Sequence, residues 1–388
     1  MKYKLLSLMV GMCCASYAQA SAYIGTQDKQ LHIDLQTLVE YGYINVAVNT
    51  YPLPWKGIVS GLDSINARNM AQRPQQAYLR LRHYLQLNKQ QKSRRFTEIQ
   101  LASDDQARRS FDDGVNAKGQ LSFTTEFYAG RWSGQVRVNH TSSSSTTDTS
   151  RFDESFIAYQ FGDWNIRAGA LEQWWGPSIG TSVSLSNDSQ PLTTLALSRS
   201  TNTASEHELL RWLGPWFFTA QIGAIDGSAS APKAKVTTNR LNFRPDHNLE
   251  VGVSYTALFD QNNHSQAMLN AQEVYNLQLK SSVGLDIAYT QQFDNRPVTA
   301  YAQHIEQTLN TSSDSSHLMG LSTYINDTKV FVEAASMTGL CGLMAAVNNC
   351  MFENGNTEYM GSAATNLAAE NSVSTGILAN NKLVTIGA

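Results

Sequence analysis

Residues 249–256 read Leu-Glu-Val-Gly-Val-Ser-Tyr-Thr, and residues 283–290 read Val-Gly-Leu-Asp-Ile-Ala-Tyr-Thr. In both stretches the large apolar side chains occupy every second position, and the positions between them are small or polar. A period of two puts the apolar residues on one face of a β-strand and the others on the opposite face. The two stretches therefore predict strands that separate an apolar surface from a polar one.

The same alternation continues along most of the chain after about residue 95. It is clear in 121–129, 132–139, 156–161 and 164–170, and weaker in 96–102, 181–186, 192–199, 215–224, 237–244, 273–280, 297–304, 317–325 and 328–335. Strands of roughly ten residues suit a tilted membrane crossing, whereas the strands of a soluble β-sandwich, the rival fold, are usually shorter. The pattern gives on the order of fifteen strands, and we predict an all-β, antiparallel membrane barrel of about 16–18 strands over residues 93–388.

The first twenty residues have the pattern of a secretory signal. Lys2 and Lys4 precede the apolar stretch 5–14, and Ala18-Gln-Ala20 offers a signal peptidase site. The apolar stretch is too short to span a bilayer. We predict that residues 1–20 are removed, and together with the barrel pattern this indicates the outer membrane of a Gram-negative cell.

Residues 21–92 differ from the rest because their apolar residues recur at helical spacing. Asp34 is a candidate N-cap of a first helix that Gly42 ends, Trp55 opens a second, and Pro74 suits the first turn of a third. Each of these short amphipathic helices needs a partner face. The segment therefore predicts a small helical bundle.

Composition and cysteine count exclude some functions and leave others open. The formal net charge is −3 and charged residues make up 16% of the chain, which gives no electrostatic basis for binding nucleic acid. Beyond the signal segment the cysteines are Cys341 and Cys350, for which an oxidising compartment favours a disulfide over two free thiols. No pattern of metal ligands or cofactor-binding residues is found.

The densest group of unusual residues lies in 167–199, where Trp174 and Trp175 stand directly before Gly-Pro. Indole rings can stack on the C–H faces of sugars while nearby amides and charged groups bind the hydroxyls. The candidate polysaccharide site is Trp174, Trp175, Arg167, Glu172, Asn187 and Arg199. The alternative is that this stretch is a rigid segment packed inside the barrel, with no ligand on its tryptophans.

Several motifs together resemble the Wzi family of capsule-assembly outer-membrane proteins. They are Asp34-Leu35 with Gly42, Tyr51-Pro-Leu-Pro-Trp55, Trp175-Gly-Pro177, Ser184-Leu-Ser-Asn187 to Pro191 with Arg199, Glu208-Leu-Leu-Arg-Trp-Leu-Gly-Pro-Trp216, Gly284-Leu-Asp286, Tyr301-Ala-Gln303 and Phe331-Val-Glu-Ala334. The resemblance implies an eighteen-stranded barrel with a helical bundle at its periplasmic face. It also implies a lectin-like protein that holds exported capsular polysaccharide at the cell surface, in contact with outer-membrane lipid and the polysaccharide export machinery.

The C-terminal part departs from that family pattern. The segment 356–388 alternates poorly and ends Val384-Thr-Ile-Gly-Ala388 without a terminal aromatic residue. We expect an irregular tail over 340–388 that lacks the closing strands. Unpaired strand edges in lipid cost several kcal/mol for each unsatisfied backbone group, so such a chain is either truncated or frameshifted, or closes in a different register.

Catalysis finds little support in the sequence. A hydrolase could be drawn from His140 and the Ser/Thr-rich stretch that follows it, and Asp112-Asp113 could suggest a glycosidase or a calcium site. Neither has a recognisable catalytic or ligand pattern, and Asp-Asp-Gly more often marks a turn. The leading prediction is a non-catalytic polysaccharide-binding barrel, and the alternative is a porin or uptake channel for small polar solutes.

Overall fold

The structure, a computed structural model, describes residues 23–26, 29–67, 70–89, 93–101, 111, 118–142, 150–180, 182–185, 191–225, 234–259, 279–309, 313–325, 328–337, 370–379 and 382–387. The helices are α1 (Lys29–Glu40), α2 (Trp55–Asp63) and α3 (Gln72–Lys89). The strands are β1 (Tyr23–Ile24), β2 (Thr50–Tyr51), β3 (Leu53–Pro54), β4 (Arg95–Leu101), β5 (Gly119–Ala129), β6 (Trp132–Ser142), β7 (Ser150–Arg151), β8 (Phe156–Phe161), β9 (Trp164–Ala170), β10 (Trp174–Trp175), β11 (Thr193–Arg199), β12 (Trp216–Ile225), β13 (Ala234–Asp246), β14 (Leu249–Phe259), β15 (Leu279–Phe293), β16 (Arg296–Leu309), β17 (Ser313–Ile325), β18 (Thr328–Met337), β19 (Glu370–Ala379) and β20 (Lys382–Gly387). The signal segment 1–20, Asn187 and the Cys341–Cys350 pair lie outside these residues, so the predictions about them stay predictions.

One 16-stranded antiparallel sheet forms the wall of the molecule. Strands β4 to β20 follow one another around it, except that β7 pairs only with β6, and β10 leaves the wall between β9 and β11. Strands β4 and β20 are the two ends of this sheet, and no ladder joins them among the strands that the structure describes. The predicted all-β antiparallel fold is therefore confirmed, at the lower bound of the predicted strand number.

Tight turns join neighbouring strands at one end of the wall. The predicted turn at Gly162-Asp163 is present between β8 and β9, and Gly162 has a φ of 57°. Between β15 and β16, Asp294 and Asn295 both have positive φ, 48° and 62°, as the type I′ hairpin turn requires. We refer to this end of the wall as the tight-turn end.

The two faces of the wall follow the alternation in the sequence. On β15, Val283, Leu285, Ile287 and Tyr289 point outward and are each at least 43% exposed. On β5, the polar residues Ser122, Thr124 and Glu126 point inward and are buried. The outer surface is therefore apolar and the inner surface polar, as a membrane barrel requires.

The three helices pack around a core of their own. Leu35 and Leu38 of α1 contact a cluster that includes Trp55 of α2 and Leu81 of α3, all buried. Gly42 ends α1 as predicted: its φ is 77°, and the Tyr43 N–H donates to the Leu38 carbonyl at 2.8 Å. No helix in the described parts of the chain has both the length and the apolar character needed to cross a membrane.

Asp34 does not cap α1, because the helix already begins at Lys29. Its carboxylate instead accepts hydrogen bonds from Arg80 of α3 at 2.6 and 2.8 Å, and from Gln30 at 2.7 Å. Burial raises the pKa of the Asp34 carboxyl, and the guanidinium of Arg80 opposes that rise. The sequence signal at Asp34 therefore marked a contact between two helices rather than a helix start.

Three strand predictions need correction. Residues 182–185 do not form a strand, because they lie beside β10, where the Ser182 hydroxyl donates to the Trp175 carbonyl at 2.8 Å. The stretch 283–290 is part of the longer strand β15, which begins at Leu279, within the predicted separate strand 273–280. The predicted irregular tail, 340–388, contains two strands, β19 and β20, which extend the sheet beyond β18. Their backbones pair although their side chains alternate poorly.

Candidate functional site

Trp174 and Trp175 lie inside the barrel, where the two-residue strand β10 pairs with β2 of the N-terminal segment. Their side chains are 0% and 1% exposed. The Trp174 indole N–H donates to the Ser178 carbonyl at 3.0 Å, and the backbone N–H of Trp175 donates to the Leu185 carbonyl at 2.9 Å. Neither ring presents a face to a ligand, so the expected stacking on sugar gives way to the alternative, a packed inner segment.

The other described members of the predicted site are also engaged within the fold. Arg167 is buried and donates to the Gln221 amide oxygen at 3.3 Å. Glu172 accepts a hydrogen bond from the Thr26 hydroxyl at 2.8 Å. Arg199 donates to two carbonyls, those of Thr203 and Trp216, each at 2.8 Å, and its guanidinium lies 3.9 Å from the centre of the Trp216 ring. These residues therefore support the wall and interior and do not surround an accessible ligand surface.

Arg240 of β13 links the wall to the N-terminal segment and is fully buried. Its guanidinium makes two parallel hydrogen bonds to the Asp286 carboxylate of β15, at 2.7 and 2.9 Å. Its remaining donors reach the N-terminal segment, at the Thr50 hydroxyl (2.6 Å) and the Asn49 carbonyl (2.9 Å). Arg240 thus joins two wall strands to the segment that holds β10 in place.

Glu250 of β14 makes a second link at the tight-turn end. One carboxylate oxygen accepts hydrogen bonds from the backbone N–H groups of Val48 and Asn49, both at 2.8 Å. The other oxygen accepts from Arg244 at 2.9 Å, and both charged side chains are buried. Since each buried charge has its partner, the pair avoids the penalty of an isolated buried ion.

The segment after Trp175 is held by β16 and β18. The Gln303 amide donates to the Trp175 carbonyl at 3.1 Å. Glu333 accepts hydrogen bonds from the backbone N–H groups of Ile179 (2.6 Å) and Gly180 (3.0 Å), and from the Tyr301 hydroxyl at 2.7 Å. A carboxylate and an amide of the wall therefore fix the backbone of residues 175–180 directly.

Helix α1 is attached to the wall through Glu40. Lys329 of β18 donates to Glu40 at 2.8 Å and to Gln36 at 2.9 Å, and the Tyr324 hydroxyl also donates to Glu40. A cavity of about 20 Å³ lies beside these groups, lined also by Glu250. That volume holds about one water molecule, so little free space remains where Glu40, Asn49 and Glu250 meet.

Polar side chains on the first wall strands remain partly accessible. Gln100, Gln120 and Thr141 stand in register across β4, β5 and β6, at the end opposite the tight turns, and we call them the amide row. Each side chain is only half-buried as a whole. The Gln100 amide oxygen and the Thr141 hydroxyl are buried atoms without a hydrogen-bond partner. The Gln100 and Gln120 amide nitrogens donate within the wall, to Glu98 at 2.6 Å and to Ser122 at 2.9 Å. One row lower, Arg137 donates to Glu98 at 3.0 Å. Amides and hydroxyls are the kinds of group that bind sugar hydroxyls, so the amide row is the candidate surface at this end of the wall.

Comparison with known proteins places this architecture in a family. The family model of the capsule assembly protein Wzi matches residues 88–366. The chain belongs to that family. A solved structure with a similar fold is that of Wzi from Escherichia coli, described as an outer membrane protein involved in Group 1 capsule assembly and a carbohydrate-binding β-barrel. The match covers 95% of this chain and 96% of that chain, with 14% identity and a TM-score of 0.65.

A curated relative of this Wzi-family protein comes from Klebsiella pneumoniae and is described as an uncharacterized 55.8 kDa protein in the cps region. It is 24% identical over 256 residues, which cover 65% of this chain. The chain spans half the length of that relative.

Sequence reasoning missed the residues that fix the inner segment, although several of them lie in the motifs of the family resemblance. Asp286, Gln303 and Glu333 each stood in a quoted motif without an assigned role. The missed signal was charge on the polar face of a strand, since a buried charge needs a partner. Among the described residues, no group of three or more His, Cys, Asp or Glu side chains is arranged to hold a metal ion.

Proposed function

We propose that this Wzi-family protein is a non-catalytic, lectin-like protein of the outer membrane that binds exported capsular polysaccharide and retains it at the cell surface. The match of the family model over residues 88–366 carries the proposal. The apolar outer face of strands such as β15 supports a place in the outer membrane, in contact with its lipid.

The inner segment, residues 174–180, favours binding over transport. Residues 174–180 lie across the inside of the wall and are fixed there by Gln303 and Glu333. A general porin needs a continuous water-filled path. The inner segment, held by buried hydrogen bonds, supports an obstructed lumen and a surface for polysaccharide rather than a channel for small solutes.

Tight turns of outer-membrane barrels face the periplasm, and longer connections face outward. Helix α1 contacts the tight-turn end through Glu40, and the segment after it does so through Asn49. By this rule the helices lie on the periplasmic side. Contact with the polysaccharide export machinery is then expected at α1 to α3. The amide row lies at the opposite, outward end, where the polysaccharide arrives.

Deleting the gene should move capsular polysaccharide from the cells into the medium without reducing the total amount. The reason is that a retention protein acts after synthesis and export. The measurement is the ratio of cell-associated to shed polysaccharide, with complementation by the intact gene as the control. Unchanged retention in the deletion strain would contradict the proposal, and a fall in total polysaccharide would point to synthesis or export instead.

Replacing Gln100 and Gln120 together with alanine should weaken binding of purified capsular polysaccharide by about thirtyfold. Each hydrogen bond contributes about 1 kcal/mol, and roughly two would be lost. Binding is measured with the purified barrel in detergent. The matched control is Gln160→Ala at the tight-turn end, whose amide donates to Gly162 and is exposed. Equal binding by the double variant and the control variant would remove the amide row from the proposed site.

A further inference from the structure

Two histidines on neighbouring strands face each other on the outside of the wall. His304 of β16 and His317 of β17 are directly opposed in the ladder. Their Nδ1 atoms are 2.9 Å apart, and their rings stack with centroids 4.6 Å apart. Both side chains are exposed. They are thirteen positions apart in the sequence, and strand pairing brings them together, which is why sequence analysis found no metal site.

The spacing of the two nitrogens matches a pair of metal ligands. Imidazole nitrogens bind divalent transition metals at about 2.0–2.1 Å. Two such ligands at a right angle are therefore about 2.9 Å apart, whereas a tetrahedral angle needs about 3.4 Å. The angle between the ring planes is 27°, and rotation about the broad χ2 torsion can turn both lone pairs toward one ion.

The surroundings also favour a cation. The Ser315 hydroxyl lies 3.3 Å from Nε2 of His317. A proton on Nε2 that is donated to this hydroxyl leaves Nδ1 with the lone pair that a metal needs. Glu306, opposite Ser315 in the ladder, is exposed on the same outward face and adds negative charge nearby.

The pair lies at the border between the apolar and polar parts of the outer surface. Toward the tight-turn end, the outward positions are aliphatic, including Ala302 and Met319. Toward the other end, they are polar, including Glu306 and Ser315. This border corresponds to the membrane interface, where aqueous ions reach the imidazoles.

We propose that His304 and His317 form a surface site for a divalent transition metal with a tetragonal preference, such as Cu²⁺. Two cis imidazole nitrogens come from the protein, and water fills the remaining positions. Cu²⁺ suits this arrangement because it accepts right-angled nitrogen ligands and binds such sites most tightly among first-row divalent metals. The site is independent of the proposed polysaccharide binding.

The test uses the whole mature chain in detergent, stripped of metal and titrated with Cu²⁺ in competition with a weak chelator. We expect one equivalent to bind, with an electron paramagnetic resonance spectrum of two equatorial imidazole nitrogens. His304→Gln and His317→Gln should each weaken this binding at least tenfold and remove the two-nitrogen signature. The matched control is His140→Gln, because His140 is a solitary outward histidine beside the Ser150 hydroxyl.

Two results would overturn the proposal. One is a wild-type protein that binds no stoichiometric Cu²⁺, which needs no variant to interpret. The other is a set of variants in which His304→Gln and His317→Gln bind Cu²⁺ as tightly as His140→Gln and with the same spectrum. Capsule retention by cells carrying His304→Gln should stay at the wild-type level, which separates this site from the proposed function.

Discussion

Replacing Arg240 with methionine should lower the free energy of unfolding by about 3–5 kcal/mol, because the change leaves the buried Asp286 carboxylate without its partner. The same change removes the hydrogen bonds to the Thr50 hydroxyl and the Asn49 carbonyl. The variant should therefore weaken the attachment of the N-terminal segment as well as the pairing between the wall strands. Urea unfolding of the purified barrel in detergent, followed by tryptophan fluorescence, measures it.

Two further variants test whether this loss of stability comes from the unpaired, buried carboxylate. The double variant Arg240→Met with Asp286→Leu should recover a large part of the stability, since replacing both members of a buried ion pair is often nearly neutral. Lys56→Met is the control for an exposed pair, because Lys56 and Asp163 are 41% and 62% exposed, and it should cost less than about 1 kcal/mol. A loss for Arg240→Met no larger than for Lys56→Met would contradict the assigned role.

The wall of the barrel was predictable because its information is local. Alternation at 121–129 and 249–256 reports directly which face of a strand is buried, and β5 and β14 appear where the pattern is clear. The pattern failed where backbone pairing alone makes the strand, as in β19 and β20. It also failed at the predicted strand 181–186, of which the described residues 182–185 belong to a segment packed inside the barrel.

The interior was not predictable to the same degree because its contacts join distant residues. Arg240 and Asn49 are 191 positions apart, and Ile179 and Glu333 are 154 apart. Adjacent tryptophans before Gly-Pro correctly drew attention to 172–180. Their residue types could not decide between stacking on sugar and packing in the core, because the two uses differ only in exposure. Both rings are buried in the structure, which favours packing.

Replacing Gly176 with alanine should displace the inner segment and open the barrel to small ions. Gly176 has a φ of 131°, which residues with a side chain rarely adopt, and an added Cβ would lie 1.5 Å from the Gln303 amide nitrogen. Gln303 has no easy way to move, because it is buried and hydrogen-bonded to both Trp175 and Ser178. Backbone strain and overpacking together should cost about 2–6 kcal/mol.

Conductance in a planar lipid bilayer, together with urea unfolding, measures this effect. The wild-type barrel should conduct little, and Gly176→Ala should add ion-conducting events as residues 174–180 leave their place between Asn49 and Gln303. The control is Gly42→Ala, because Gly42 also has a positive φ, 77°, but has no atom within 4 Å of an added Cβ. That variant should lose about 1 kcal/mol from strain alone and stay closed. If Gly176→Ala matches the control in stability and in conductance, residues 174–180 do not block ion flow. The alternative of an open channel would then be favoured.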